Sequence, residues 1–271
     1  MLAALVNGVE CVNPAQAVAV ADRGLNYGDG VFETMLLKQG RVRFLDAHLA
    51  RLALGCRRLG IDPPGEERMR AEIAHASAAA ESGIVKVVVT RGSSGRGYRA
   101  PVNAVPTRIV SLHAPPPAAT TTLRARWCDM RVSRNPLLAG IKHLNRLEQV
   151  LAQSEWDDAT IDEGFMLDSE GELIAATAAN VFIVRGHELV TPDLRYCGIH
   201  GVMRGAILRL ATELGVAAHE EPLWPEDLAA ATEVFVTNAV RGVRAVVALG
   251  EHSWPLGPVT RSLMNALDAH A

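Results

Sequence analysis

Apolar residues recur along this chain with two periods, and the switches between them mark out strands and helices. "GVFETMLLKQGRVRF" (residues 30–44) carries β-prone apolar residues on both sides of Lys38, Gln39 and Gly40, which reads as two strands joined by a tight turn with glycine at the bend. "LDAHLARLALGCRRLGI" then takes a helical period. Leu45, Leu49, Leu52, Cys56 and Leu59 share a face, Asp46 is the expected N-cap and Gly60 the stop. A second helix over 66–80, an apolar strand "IVKVVVT", a glycine-rich loop "RGSSGRGYRAP" and a strand "TRIVSL" complete the first half.

"HAPPPAATT" interrupts the alternation. Three consecutive prolines among small residues form an extended, semi-rigid connector, so the expected organisation is an N-terminal domain over 1–114, a linker over 115–120 and a C-terminal domain over 121–271. The second half repeats the mixture, with strands near 123–127, 163–167, 181–184 and 233–236, helices at 143–156, 201–215 and 258–270, and hairpin signals at "DSEG" and "VRGHEL". On the 143–156 helix, Leu144, Leu147, Val150 and Leu151 form one stripe. Strands joined by short turns, without an internal repeat, predict an α+β (mixed α/β) fold and not a doubly wound parallel sheet.

Composition narrows the function classes. The 271 residues are 49% hydrophobic and 21% charged, values of a compact globular protein with a sizeable core. Its 27 basic and 30 acidic residues are mixed along the chain for a net charge of −3, so no basic field exists to hold nucleic acid. "MLAALVNGVECVNPAQ" has no basic n-region, and no stretch approaches the roughly 20 apolar residues of a membrane span. Cys11, Cys56, Cys128 and Cys197 are widely spaced without a metal-type pattern. The expectation is a cytoplasmic protein with free thiols, no metal, no membrane and no nucleic acid partner.

Four stretches carry candidate chemistry. In "GIKHLNRLEQVLA", Lys142 precedes a helix; it is either a solvated residue or a desolvated amine able to form a Schiff base. "YCGIHGVMRGAILRLATELG" places two glycines before an amphipathic helix with Val202, Ile207, Leu210, Ala211 and Leu214 inward. Such a junction is either an ordinary turn or a phosphate-binding helix N-terminus. Arg51 in "HLARL" is a solvated charge or a bidentate fork for a phosphate. Thr34 is a β-propensity choice or a working hydroxyl, and Tyr27 a packed aromatic or a ring wall. In "TRGSSGRGYRAP", Arg91, Arg96, Arg99 and Tyr98 sit among small flexible positions, either as a solvated loop or as cations converging on a carboxylate-bearing substrate.

Together, "ADRGLNYGDGVFET", "HLARL", "TRGSSGRGY", "KHLNRLEQVLA", "LDSEGELIAATAANVF" and "GIHGVMR" occur in the order, and at about the spacings, of the fold type IV pyridoxal phosphate enzymes. The chain resembles that family of branched-chain and D-amino acid aminotransferases over nearly its whole length. Within the family it is most similar to the branch that eliminates pyruvate from 4-amino-4-deoxychorismate, through "TRGSSGRGY", "KHLNRLEQ" and Thr34. The resemblance implies two α/β domains with the cofactor between them and a homodimer that completes each site. It implies Lys142 as the Schiff-base lysine, Thr34 as the hydroxyl beside it, Arg51 and the main chain of Val202, Met203 and Ala239 as phosphate ligands, and Tyr27, Arg91, Arg96 and Tyr98 around the substrate. One position departs: where the family places a glutamate for the pyridine nitrogen, this chain has Ala175. That departure keeps three further readings in view, namely an aminotransferase for D- or branched-chain amino acids, a lyase that works without pyridoxal phosphate, and a catalytically silent homologue.

Overall fold

In the first half of the chain the strand-type alternation builds one antiparallel sheet. A computed structural model describes residues 1–13, 17–117 and 120–269. It divides into two units, Met1–Pro117 with Ile141–Asn145, and Ala118–Gly140 with Arg146–Ala271. Residues 118 and 119 of the expected linker, and residue 270 of the expected last helix, lie outside the described residues.

The first unit contains β1 (Ala3–Val6), β2 (Val9–Glu10), α1 (Arg23–Tyr27), β3 (Gly30–Lys38), β4 (Arg41–Val42), α2 (Leu45–Leu59), α3 (Glu66–Ser77), β5 (Ser82–Thr90) and β6 (Thr107–His113). Its six strands run in the order β2-β1-β6-β5-β3-β4, each pair antiparallel. Side chains alternate across a strand. Val31, Met35 and Leu37 of β3 accordingly share a buried face with Val85, Val87 and Val89 of β5, and Leu49, Leu52 and Cys56 of α2 and Met69 and Ile73 of α3 join that core. The β3–β4 turn is the expected one, with Gln39 and Gly40 both at positive φ. Helix α2 ends at Gly60 as read, but its N-cap is Phe44 in a left-handed conformation; Asp46 lies inside the first turn, where a carboxylate complements the helix dipole without capping.

The second unit contains β7 (Thr122–Trp127), α4 (Leu147–Gln153), β8 (Glu163–Leu167), β9 (Leu173–Ala176), β10 (Asn180–Arg185), β11 (Glu188–Pro192), α5 (Val202–Glu213), β12 (Ala218–Glu221), a 3₁₀ turn at Pro225–Ala230, β13 (Glu233–Asn238), β14 (Gly242–Leu249), β15 (His252–Ser253) and α6 (Pro258–Ala269). Nine strands form one mixed sheet, β12-β11-β10-β13-β14-β7-β8-β9 with β15 beside β14. The pairs β11/β12, β14/β7 and β7/β8 are parallel. Leu123, Phe165, Val181, Ile183, Val234 and Val246 meet in its core.

Several expectations change here. The helix read over 143–156 is only Leu147–Gln153, because residues 142–144 extend along β3 instead: Phe32 N–H donates to Lys142 O at 3.0 Å, Leu144 N–H to Gly30 O at 2.9 Å, and His143 bridges Val31. The lysine segment, expected in the C-terminal domain, therefore groups with the first unit. The apolar stripe of α4 is exposed on this chain, Leu147 by 69%, Val150 by 57% and Leu151 by 48%. On α5, Leu214 is exposed while Val202, Ile207, Leu210 and Ala211 are buried as read.

Candidate active site

The alternation of β3 sorts the candidate residues of the first unit. Val31, Glu33, Met35 and Leu37 face the core, so Phe32 and Thr34 face the other way. Lys142 joins that second face, with Nζ 4.3 Å from the centroid of the Phe32 ring. Lys86 lies directly across from Thr34 on β5, on the same face, and its Nζ is 5.7 Å from the same ring. Beyond it, Ser111 pairs with Lys86 and its hydroxyl lies 2.9 Å from His113 Nε2. Two amines thus lie near one aromatic ring on the face of the sheet that also bears Thr34. The backbone at Gly28 sets the approach of the lysine segment: φ is +64°, a Cβ there would stand 2.4 Å from Asn145 Oδ1, and Asn145 Nδ2 donates to Gly28 O.

Arg51 is held from the core side of β3. Its Nε donates to Glu33 Oε1 at 2.7 Å and its terminal nitrogen to Oε2 at 2.5 Å, while His48 Nδ1 lies 2.6 Å from Oε2. Burial pushes the Glu33 pKa up, but the Arg51 charge and its hydrogen bonds, with the His48 contact, hold the carboxyl below its ordinary value. The fork is therefore pre-oriented by a buried carboxylate that the sequence reading did not pick out; its signal was an acidic residue at an inward position of a strand.

The loop after β5 divides the remaining residues. Arg91 is not free to meet a substrate: it donates to both oxygens of Asp29 and to the carbonyls of Leu59 and Gly60, closing the C-terminal end of α2. Four of its five N–H donors are thus engaged within the unit, which gives Arg91 a structural role here in place of the expected approach to a substrate. Arg96 is exposed and Tyr98 is 87% exposed. The rings of Tyr27 and Tyr98 lie 5.5 Å apart, and Tyr27 Oη accepts from Gly97 N–H at 3.3 Å, so these two are brought together.

In the second unit Asn180 lies beside Gly201 at the start of α5 and opposite Thr237 of β13. No side chain caps α5 at Gly201, which leaves the first N–H groups of the helix, those of Val202 and Met203, pointing out of its N-terminus. A Cβ at Gly201 would stand 2.1 Å from Asn180 Oδ1. Asn180 Nδ2 donates to Ile199 O, and on β10 Asn180 lies opposite Thr237 of β13. The turn that follows places Ala239 next to Asn238, whose Oδ1 accepts from Val240 and Arg241. A glycine-floored cradle at a helix N-terminus, with a backbone turn beside it, fits a phosphate. Ala175 lies opposite Met166 and, with Trp156, packs against an apolar cluster that includes Cys128 and Met166. Burial pushes the thiols of Cys56, Cys128 and Cys197 up to about 12, so none is a nucleophile. Among the described residues no His, Cys, Asp and Glu group could hold a metal ion, and no helix is long and apolar enough to cross a membrane.

The family model for amino-transferase class IV matches residues 30–249. The chain belongs to the class IV aminotransferase family. Among members of the family, it is 32% identical to the aminodeoxychorismate lyase of Vibrio harveyi over 97% of this chain and 98% of that protein. It is 33% identical to a putative branched-chain-amino-acid aminotransferase of Methanocaldococcus jannaschii, over 82% of this chain and 78% of that one. The crystal structure of 4-amino-4-deoxychorismate lyase from Pseudomonas aeruginosa is 43% identical, covers 98% of both chains and superposes with a TM-score of 0.93. The mixed α/β fold of class IV aminotransferases is thus the fold of this chain.

Proposed function

We propose that this protein eliminates pyruvate from 4-amino-4-deoxychorismate, leaving 4-aminobenzoate for folate biosynthesis, and that it does so with pyridoxal phosphate. The observation that carries the reading is the face of β3 on which the Lys142 amine stands over Phe32, on the side of the sheet that also bears Thr34 and Lys86. Likeness to two lyases along nearly the whole chain supports the same reading. Lys142, Arg51 and the N–H groups of Val202, Met203 and Ala239 are the residues that would hold the cofactor. When bound, it supplies an aldehyde for the substrate amine and a sink for electrons.

The chain's own groups account for the rest. Lys142 Nζ takes the proton from the amine-bearing carbon, and the Phe32 ring shields one side of the amine from water while tolerating its cationic form. The vicinal carbon–oxygen bond then breaks, the departing enol of pyruvate gains a proton at its methylene carbon, and the carbocycle becomes aromatic. Thr34 places a hydroxyl on the face where these protons move, and Lys86 offers a cation to a substrate carboxylate. Arg96, Tyr98 and Tyr27 receive the rest of the substrate. Ala175 favours elimination over amino-group transfer, since aromatisation supplies driving force that transamination lacks.

A second copy of the chain covers the apolar residues Leu147, Val150 and Leu151 of α4, which gives a homodimer. Unpaired Cys56, Cys128 and Cys197, all buried, suit a reducing cytoplasm. The test is a coupled assay with 4-amino-4-deoxychorismate, in which pyruvate and 4-aminobenzoate appear in equal amounts, beside an absorption titration with pyridoxal phosphate. Dominant amino-group transfer from D-alanine or leucine to 2-oxoglutarate overturns the lyase reading.

A further inference from the structure

The loop Ser93–Tyr98 has little in its own composition to give it a shape. Gly95 and Gly97, the latter at φ +100°, add no preference, and Arg96 and Tyr98 are exposed, so burial does not order it. Ser94 N–H donates to Ala21 O and Gly97 N–H to Tyr27 Oη, and one buried arginine supplies the larger share of the side-chain contacts that order it. Arg23, with its side chain 5% exposed, donates through one terminal nitrogen to Ser94 Oγ at 3.2 Å and Gly97 O at 3.0 Å, and through the other to Tyr98 O at 2.8 Å. Its Nε donates to Asp29 Oδ2 at 2.8 Å, and its guanidinium lies 4.8 Å from the centroid of the Tyr27 ring. Asp29 in turn is gripped by Arg91, which anchors on the last carbonyls of α2. The chain of contacts thus runs from a rigid helix end, through one carboxylate, to three points on a flexible loop. Only a planar fork can serve all these directions at once; a lysine ammonium reaches one or two of them.

We propose that Arg23 is a positioning residue. It fixes the Ser94–Tyr98 loop in the conformation in which Arg96 and Tyr98 receive the carboxylates of the substrate, so that this conformation need not be ordered at the moment of binding. The substrate half of this inference rests on the proposed lyase function. The loop half does not. Holding the loop acts on binding and not on proton transfer, so its loss falls on KM.

The experiment uses the full chain with Arg23→Met and Arg23→Lys. Trypsin cleavage after Arg96 and Arg99 is followed by mass spectrometry under native conditions, beside steady-state kinetics with 4-amino-4-deoxychorismate. For Arg23→Met, cleavage in the loop accelerates by about 10-fold as local opening becomes easier. KM rises by about 10-fold, kcat stays within about twofold, and the affinity for pyridoxal phosphate is unchanged. Arg23→Lys falls between this variant and the wild type. A folded Arg23→Met protein with wild-type cleavage and KM overturns the proposal, and so does a loss confined to kcat. If Arg23→Met does not fold, Ser94→Ala removes one loop contact while leaving the pair with Asp29. It is then cleaved a few-fold faster, and a wild-type rate overturns the proposal. Cleavage needs no turnover, so a wild-type protein without lyase activity sinks the proposed function and leaves the clamp to be judged by cleavage alone.

Discussion

Glu33→Gln tests whether a buried carboxylate organises the arginine expected at the phosphate. The Glu33 side chain is 1% exposed and that of Arg51 11%, so neither charge can turn to water when the other is lost. Glutamine keeps one acceptor oxygen but turns the other into an amide donor, which then faces the donors of Arg51 and His48. Removing one partner of a buried pair in this way costs about 3 to 5 kcal/mol, because the remaining charge stays buried without compensation. For a chain of this size that lowers the thermal midpoint by roughly 6 to 20 °C. The pH dependence has a definite sign. Glu33 is held below its ordinary pKa, so its contribution is fully present above the unfolded-state value of about 4.3 and is lost as pH falls through the lower folded-state value. The gap between wild type and Glu33→Gln is therefore widest at neutral pH and closes in acid. Thermal melts at a series of pH values give both quantities, and a titration with pyridoxal phosphate reports the weakened affinity that follows from a disordered Arg51. A midpoint within about 2 °C of the wild type at pH 7, or a gap that does not narrow in acid, refutes the reasoning.

Lys142→Ala abolishes both turnover and the imine absorption with pyridoxal phosphate; normal turnover in this variant removes the lysine from the chemistry. Ala175→Glu places a carboxylate against the apolar cluster around Trp156 and Met166, so the cofactor-free protein melts lower and recovers on adding pyridoxal phosphate, while side transamination rises more than lyase turnover. Equal changes in the two activities argue against a role for this position in reaction choice. Leu151→Glu, on the exposed face of α4, shifts the protein from dimer to monomer in sedimentation, and an unchanged sedimentation coefficient places the interface elsewhere.

Local signals carry much of this protein in the sequence itself. The β3–β4 turn at Gln39-Gly40, the stop of α2 at Gly60 and the buried stripe of α5 are each legible from the residues alone, because each depends on the backbone freedom or periodicity of positions close in the chain. The order of six short motifs likewise points to the class IV aminotransferases, since spacing along the chain is a one-dimensional property. What stays hidden depends on residues far apart. Leu144, Leu147, Val150 and Leu151 read as one apolar stripe, but periodicity says only that a face is apolar, not what covers it, and the three on α4 are exposed. Arg91 reads as a cation beside a glycine-rich loop, and Arg23 lies far from that loop along the chain; only the fold shows that Asp29 and the end of α2 hold the first, and that the second holds the loop. Nor can spacing place Lys142 beside Phe32, a contact made when residues 142–144, more than a hundred positions later, pair along β3. Ordering them there is a property of the tertiary structure alone, because pairing across so long a loop is set by which strand edge remains open and not by any local preference.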